Sequence, residues 1–188
     1  MVTVESLAIP AVKLLRLRVF GDERGQFTET WRSEHYAALG IGPFVQDNVS
    51  VSRKGVLRGM HLQHPDGQAK LVTALRGRIF DVAVDLRLGS PTFGRWVGAE
   101  LSDREGTQLY IPAGFAHGFV TLSDEVVFGY KVSSYYAQKS ELALRWDDPT
   151  VAIEWPIRDP IVAPKDAAAP TLDRIDRGAF PVWVEGAD

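Results

Sequence analysis

His61 lies in the run Gly55-Val-Leu-Arg-Gly-Met-His-Leu-Gln-His-Pro-Asp-Gly-Gln-Ala-Lys70, which gathers Arg58, His61, Gln63 and Lys70 within a short stretch. Imidazole is the side chain whose ordinary pKa lies closest to neutrality, so a histidine in this company is a candidate for general acid–base work. The flanking glycines permit close backbone approach, and in an extended chain Gly59, His61 and Gln63 share one face. The same residues also fit a solvated loop entering a strand, with His61 merely hydrogen-bonded. A second run, Ile111-Pro-Ala-Gly-Phe-Ala-His117-Gly-Phe119, alternates Phe115, His117 and Phe119. Extended, it sets an imidazole between two aromatics on one face; it fits equally a core strand with a satisfied histidine.

Composition narrows the chemistry. The 188 residues include no cysteine, which removes disulfides, zinc–cysteine sites, iron–sulfur clusters and thiol catalysis. Four histidines are available: His35, His61, His64 and His117. Lysine plus arginine total 21 against 24 acidic residues, for a net charge of -3. That balance lacks the electrostatic footprint of a nucleic-acid binder. No segment reaches the roughly 18 apolar residues of a membrane helix. Arg16 and Arg18 interrupt the N-terminal apolar run, so it does not read as a signal peptide, and a cytoplasmic protein is the expectation. A G-x-G-x-x-G dinucleotide fingerprint is also missing.

These side chains need a scaffold, and the patterning predicts strands. Ile79, Asp81, Ala83 and Asp85 alternate with Phe80, Val82, Val84 and Leu86, the period of a strand with one apolar face. Arg76-Gly77 reads as a hairpin turn before it. Gly94–Leu101, Thr107–Ile111, Gly118–Leu122, Val126–Val132 and Leu142–Trp146 are further short strands, which together imply a sandwich or barrel. One helix is expected over Glu34–Leu39, with Thr30 or Ser33 as N-cap and Gly40 just past its end. Gly and Pro are scattered rather than clustered, so residues 1–188 read as one all-β domain with minor helix and a looser tail from about residue 165.

Pro112-x-Gly114-x-x-His117 resembles the second motif of the cupin superfamily, a jelly roll or double-stranded β-helix, and Gly55 through His61 resembles the start of the first. Metal cupins continue that first motif with a second histidine and then a glutamate. Here Gln63 and Gln68 stand instead, and neutral amides are poor ligands for a transition metal. That argues against a metal.

A closer resemblance spans nearly the whole chain. Asp22-Glu-Arg-Gly-Gln-Phe27, Gln46-Asp-Asn-Val-Ser50, Gly55–His61, Gln68-Ala-Lys70 and Asp85-Leu-Arg-Leu-Gly-Ser-Pro-Thr-Phe93 are followed by Pro112–Phe119, Tyr130-Lys131, Tyr136, Trp146-Asp-Asp-Pro149, Glu154-Trp-Pro156 and Lys165-Asp166. In this order they are similar to the dTDP-4-dehydrorhamnose 3,5-epimerase family of nucleotide-sugar enzymes. The resemblance implies a cupin-type jelly roll, no cofactor, and a dTDP-linked 4-keto-6-deoxyhexose as substrate. The ketone acidifies the hydrogens at C3 and C5, so inversion needs a base, a stabiliser of the enolate oxygen and an acid on the opposite face.

By the same resemblance His61 is the base, Asp166 its carboxylate partner, Lys70 the cation near the C4 oxygen and Tyr130 the opposing acid. Phe20, Arg24, Phe27, Glu29, Gln46, Asn48, Arg58, His117 and Tyr136 form the implied binding set, with the arginines and His117 toward the diphosphate and the phenylalanines stacking on thymine. The family forms homodimers in which N-terminal strands cross to the partner, so Phe20 or Phe27 would serve the neighbouring site. Some relatives invert only C3 or only C5. Leu62 stands where the family more often has an aromatic, and with His64-Pro65-Asp66 it is expected to influence how the sugar sits. A metal-dependent cupin using His61 and His117, and a nucleotide-sugar-binding module without catalysis, are the competing readings.

Overall fold

Short runs rich in Val, Ile, Leu and Phe, each broken by Gly, Pro, Asp or Ser, give a molecule made almost wholly of strands. The computed structural model describes residues 2–186. Its strands are β1 (Thr3–Ser6), β2 (Lys13–Arg16), β3 (Val19–Asp22), β4 (Gly25–Thr28), β5 (Gln46–Arg53), β6 (Val56–Gln63) and β7 (Lys70–Arg76), then β8 (Arg78–Asp85), β9 (Trp96–Ser102), β10 (Thr107–Ile111), β11 (Phe115–Thr121), β12 (Glu125–Val132), β13 (Glu141–Ala143) and β14 (Ile161–Val162). Two short helices, α1 (Ser33–Ala37) and α2 (Pro164–Ala167), complete the frame with a few 3-10 turns.

One sheet runs β1-β2-β10-β7-β12-β5, and the facing sheet runs β13-β6-β11-β8-β9 with β14 parallel to β6. The β3–β4 hairpin stands apart as its own two-stranded sheet. The main core lies between the large sheets, where Val72, Ile79, Ala83, Leu109, Phe115, Phe119 and Phe128 pack together. A second cluster covers the outer face of the β8 sheet, around Met60, Leu62, Val82, Val84, Leu86 and Phe180. A third, with Leu15, Tyr36, Ile41 and Leu71, seats α1 on the outside of the other sheet.

Four sequence-based expectations are corrected here. Arg76-Gly77 does not close a hairpin, because β7 pairs with β10 and β12 while β8 pairs with β11 and β9. Instead Gly77, at φ 84°, turns the chain from one sheet to the other, and a Cβ there would meet Glu125 O at 2.7 Å. Strand β8 is buried on both faces rather than one, since the sheet is covered on both sides. Helix α1 starts at Ser33 with Arg32 at the N-cap, and neither Thr30 nor Ser33 caps it. The strand expected over Leu142–Trp146 ends at Ala143, because Asp148 gathers the Thr150 and Val151 amides (both 2.8 Å) into a turn.

Candidate active site

The two sheets separate at one end to leave a cavity of about 480 Å³, lined by Arg58, His61, Lys70, His117, Phe119, Phe128, Tyr130 and Asp166, with Ser50, Val56, Leu57 and Ile161–Ala163 at its edges. Its walls come from opposite sheets. Strands β6 and β11 bring His61 and His117 as a directly opposed cross-strand pair. Strands β7 and β12 bring Lys70 and Tyr130 from the facing sheet.

Local backbone geometry explains how β6 presents its residues. The β6–β11 register slips between His117 and Phe119, the signature of a bulge, so Arg58 pairs with Phe119 while His61 pairs with His117. The slip presses Gly59 against Gly118: a Cβ on Gly59 would lie 2.5 Å from Gly118 Cα and 2.6 Å from His117 O. Gly59 also sits at φ 121°, open only to glycine. These glycines keep the bulge that turns both Arg58 and His61 toward the cavity.

His61 Nε2 lies 2.8 Å from Asp166 Oδ1, and the Gly59 amide donates to Asp166 Oδ2 at 3.3 Å. Asp166, 5% exposed, arrives on α2 more than a hundred residues later in the chain. With its carboxylate accepting from Nε2–H, the other ring nitrogen of His61 keeps its lone pair for a proton from the cavity.

A second histidine–carboxylate pair lies deeper. His117 Nε2 is 3.0 Å from both oxygens of the fully buried Asp81. Burial pushes the Asp81 carboxyl up, opposed by His117 and Lys70. Burial also pulls the Lys70 ammonium down to about 8, while Asp81 works against that shift. Burial raises the Tyr130 hydroxyl, with Arg58 opposing, so the phenol holds its proton at neutral pH. Arg58 reaches back to Ser52, Nε to Oγ at 3.2 Å.

The structure therefore unites His61, Lys70, Tyr130, Asp166, Arg58 and His117 in one cavity. Gln46, Asn48 and Tyr136 are not among its lining residues, although Asn48 is the cross-strand partner of Tyr130; Gln46 donates to Asn48 Oδ1 at 2.9 Å and accepts the Tyr136 amide at 3.3 Å. Phe20, Arg24 and Phe27 are elsewhere, around a surface depression on the β3–β4 hairpin, with Phe27 68% exposed. Glu29 also lies outside the cavity, paired with Arg32. Leu62 is 2% exposed and packs in the outer core with Met60 and Val82, outside the lining of the cavity.

Sequence reasoning missed Asp81, Glu141 and Lys165. Asp81 was visible as a carboxylate in phase with the core positions Ile79 and Ala83. Glu141 accepts from Lys165 Nζ at 2.7 Å and Tyr136 Oη at 2.8 Å, a cluster beside Asp166 that only the fold assembles.

The family model for dTDP-4-dehydrorhamnose 3,5-epimerase matches residues 6–174. The chain belongs to the dTDP-4-dehydrorhamnose 3,5-epimerase family. A family member from Salmonella typhimurium is 51% identical over 179 residues, covering 93% of this chain and 97% of that protein. The crystal structure of dTDP-6-deoxy-D-glucose-3,5-epimerase from Legionella pneumophila, in complex with dTDP-4-keto-L-rhamnose, superposes with a TM-score of 0.94 at 46% identity, covering 98% and 100% of the two chains. A 3'-monoepimerase from Streptomyces bikiniensis in complex with dTDP-quinovose superposes at 0.88 with 37% identity, covering 95% and 92%. The two-sheet architecture is the cupin-type jelly roll of these 3,5-epimerases.

Proposed function

We propose that this chain epimerises a dTDP-4-keto-6-deoxyhexose at C3 and C5, with His61 as base and Tyr130 as the acid on the opposite face. The observation that carries the reading is the division of the cavity walls: the His61–Asp166 pair on one side, the protonated Tyr130 and the cationic Lys70 on the other. A sugar ring lying between them presents opposite faces to base and acid. His61 takes the proton next to the ketone, and Asp166 stabilises the resulting imidazolium. Lys70 holds the charge that develops on the C4 oxygen, a contribution typically worth about 10²–10³ in rate. Tyr130 returns a proton to the other face. The reaction is redox-neutral: at each carbon one proton leaves and one returns, and these transfers account for all of the chemistry.

Arg58 and His117 are assigned to the diphosphate, Arg58 as a guanidinium suited to bidentate phosphate contacts. Gln46, Asn48, Glu29 and Tyr136 are assigned to the nucleoside side. Phe20, Arg24 and Phe27 belong in this reading to a partner's site in a homodimer, reached by the free-standing β3–β4 hairpin. Among the described residues no helix is long and apolar enough to cross a membrane, and we place the enzyme in the cytoplasm.

The test is incubation with the keto sugar in D₂O. Deuterium entering C3 and C5 with inversion supports double epimerisation, and incorporation at one carbon alone replaces it with single epimerisation. No incorporation at either carbon refutes the reading.

A further inference from the structure

Gln63 stands where a metal cupin carries its second histidine, and no step above uses it. It is nonetheless 4% exposed and saturated with hydrogen bonds. Its Nε2 donates to Asp66 O at 3.1 Å and to Tyr135 O at 3.2 Å, and its Oε1 accepts the Ala137 amide at 2.8 Å. Two residues beyond His61 on β6, it shares that residue's inward face.

The three backbone groups it holds belong to two loops. One joins β6 to β7 and delivers Lys70 as the first residue of β7; the other leaves β12 just after Tyr130 and leads to β13. The loops are also zipped to each other, with Gln68 Nε2 donating to Ser134 O at 2.8 Å and Ser133 Oγ accepting the Ala69 amide at 2.8 Å. Those bonds stay on the Lys70–Tyr130 side. Gln63 instead ties that loop pair to the strand of His61 in the opposite sheet, beside the His64 amide that donates to Ser140 O at 2.8 Å and the β13–β6 ladder.

We infer that Gln63 is a positioning residue: it fixes the gap between the two sheets where His61 faces Lys70 and Tyr130. The inference rests on the roles proposed above for those three residues. An acid and a base must both reach one carbon from opposite faces, and displacements near 1 Å can cost on the order of 10²-fold in rate. Abstraction needs His61 at hydrogen-bond reach and Lys70 at the C4 oxygen. Inversion also needs Tyr130 at the right distance across the ring. Loosening the clamp therefore harms inversion more than abstraction, and the His61 imidazolium, exchanged with solvent, returns a deuteron to the face it came from.

The experiment compares wild type with Gln63→Met in D₂O, following both deuterium entry and configuration at the exchanging carbon. We expect turnover to inverted product to fall roughly 10–10²-fold, and the share of deuterated sugar that keeps its original configuration to rise. The affinity for dTDP alone should hold. Gln63→Glu, of similar volume and still able to accept from Ala137, is expected to shift the partition in the same direction and decides the matter if Gln63→Met does not fold. Gln68→Met, which removes a loop-to-loop bond without touching β6, should leave the partition as in wild type. Equal falls in exchange and inversion for both Gln63 variants, or no fall at all, would overturn the inference. Absence of exchange in wild type would instead refute the epimerase reading itself.

Discussion

His61 Nε2 and Asp166 Oδ1 meet at 2.8 Å although 105 residues of chain separate them. Strand β6 supplies the imidazole and the four-residue helix α2 supplies the carboxylate, which the Gly59 amide grips from behind. An imidazole held this way has one defined tautomer and a countercharge ready for the proton it takes.

Replacing that carboxylate by an amide keeps the shape and removes both properties. Asp166→Asn is expected to slow deuterium entry at C3 by roughly 10²–10⁴-fold, while dTDP binding persists. Exchange at the wild-type rate would dismiss Asp166 from the mechanism.

Lys70 is a case where function opposes stability. Burial lowers its ammonium from the ordinary 10.5 to about 8, so the unfolded chain holds this proton more tightly than the folded one. Below about pH 8 both states are charged and the full penalty is present; it fades as pH rises from 8 toward 10.5. Lys70→Met should therefore fold more stably at pH 7, by up to about 3 kcal/mol, with the advantage shrinking across that window. Its exchange activity should fall about 10²–10³-fold. Denaturant titrations at pH 7 and pH 10 check the sign, and a less stable variant at pH 7 would contradict it.

The β6–β11 bulge makes a sharper steric claim. Gly59→Ala places a methyl 2.5 Å from Gly118 Cα and 2.6 Å from His117 O, at a φ that alanine avoids. Backbone atoms cannot swing aside as a side-chain tip can, so a loss of roughly 2–4 kcal/mol is expected. A melting temperature unchanged from wild type would show that the bulge relaxes.

Ala152 runs the opposite way. It occupies φ 50° without being glycine, held by its amide bonded to Asp148 O at 2.8 Å. Alanine pays about 1–2 kcal/mol in that region, part of which glycine returns to its more flexible unfolded chain. Ala152→Gly should leave stability unchanged or raise it by up to about 1 kcal/mol, read as a rise in melting temperature with activity intact. A clear drop would count against the argument.

What the chain disclosed before folding follows from the range of the interactions involved. Period-two alternation is local, so most strands were legible, as was the His61–Lys70 run. The sheet to which each strand belongs is not local, and Arg76-Gly77 read as a hairpin because a tight turn looks the same whether the chain doubles back or crosses over. Asp166 and Glu141 carry no local mark; only the resemblance pointed to the first, and nothing pointed to the second. Asp81 could have been read from its phase within an apolar strand. Gln63 and Gln68 read in the sequence as poor metal ligands, but their role as donors to loop carbonyls needs the loops folded beside them.

The β3–β4 hairpin gives the last prediction. Phe20 and Phe27 are 47% and 68% exposed, and the Arg24 guanidinium bonds to the neighbouring Asp22 carboxylate. Residues that serve a site in their own chain would line its cavity, whereas these surround a depression of their own. If the hairpin completes a partner's site, Arg24→Ala and His61→Asn should each be inactive alone. Co-expressed and paired at random, half of the dimers are mixed, and each mixed dimer holds one site with both native residues, so about a quarter of wild-type activity should return. Sedimentation should show a dimer throughout. Recovery fails if each chain works by itself, and a monomeric, fully active wild type would end the shared-site reading.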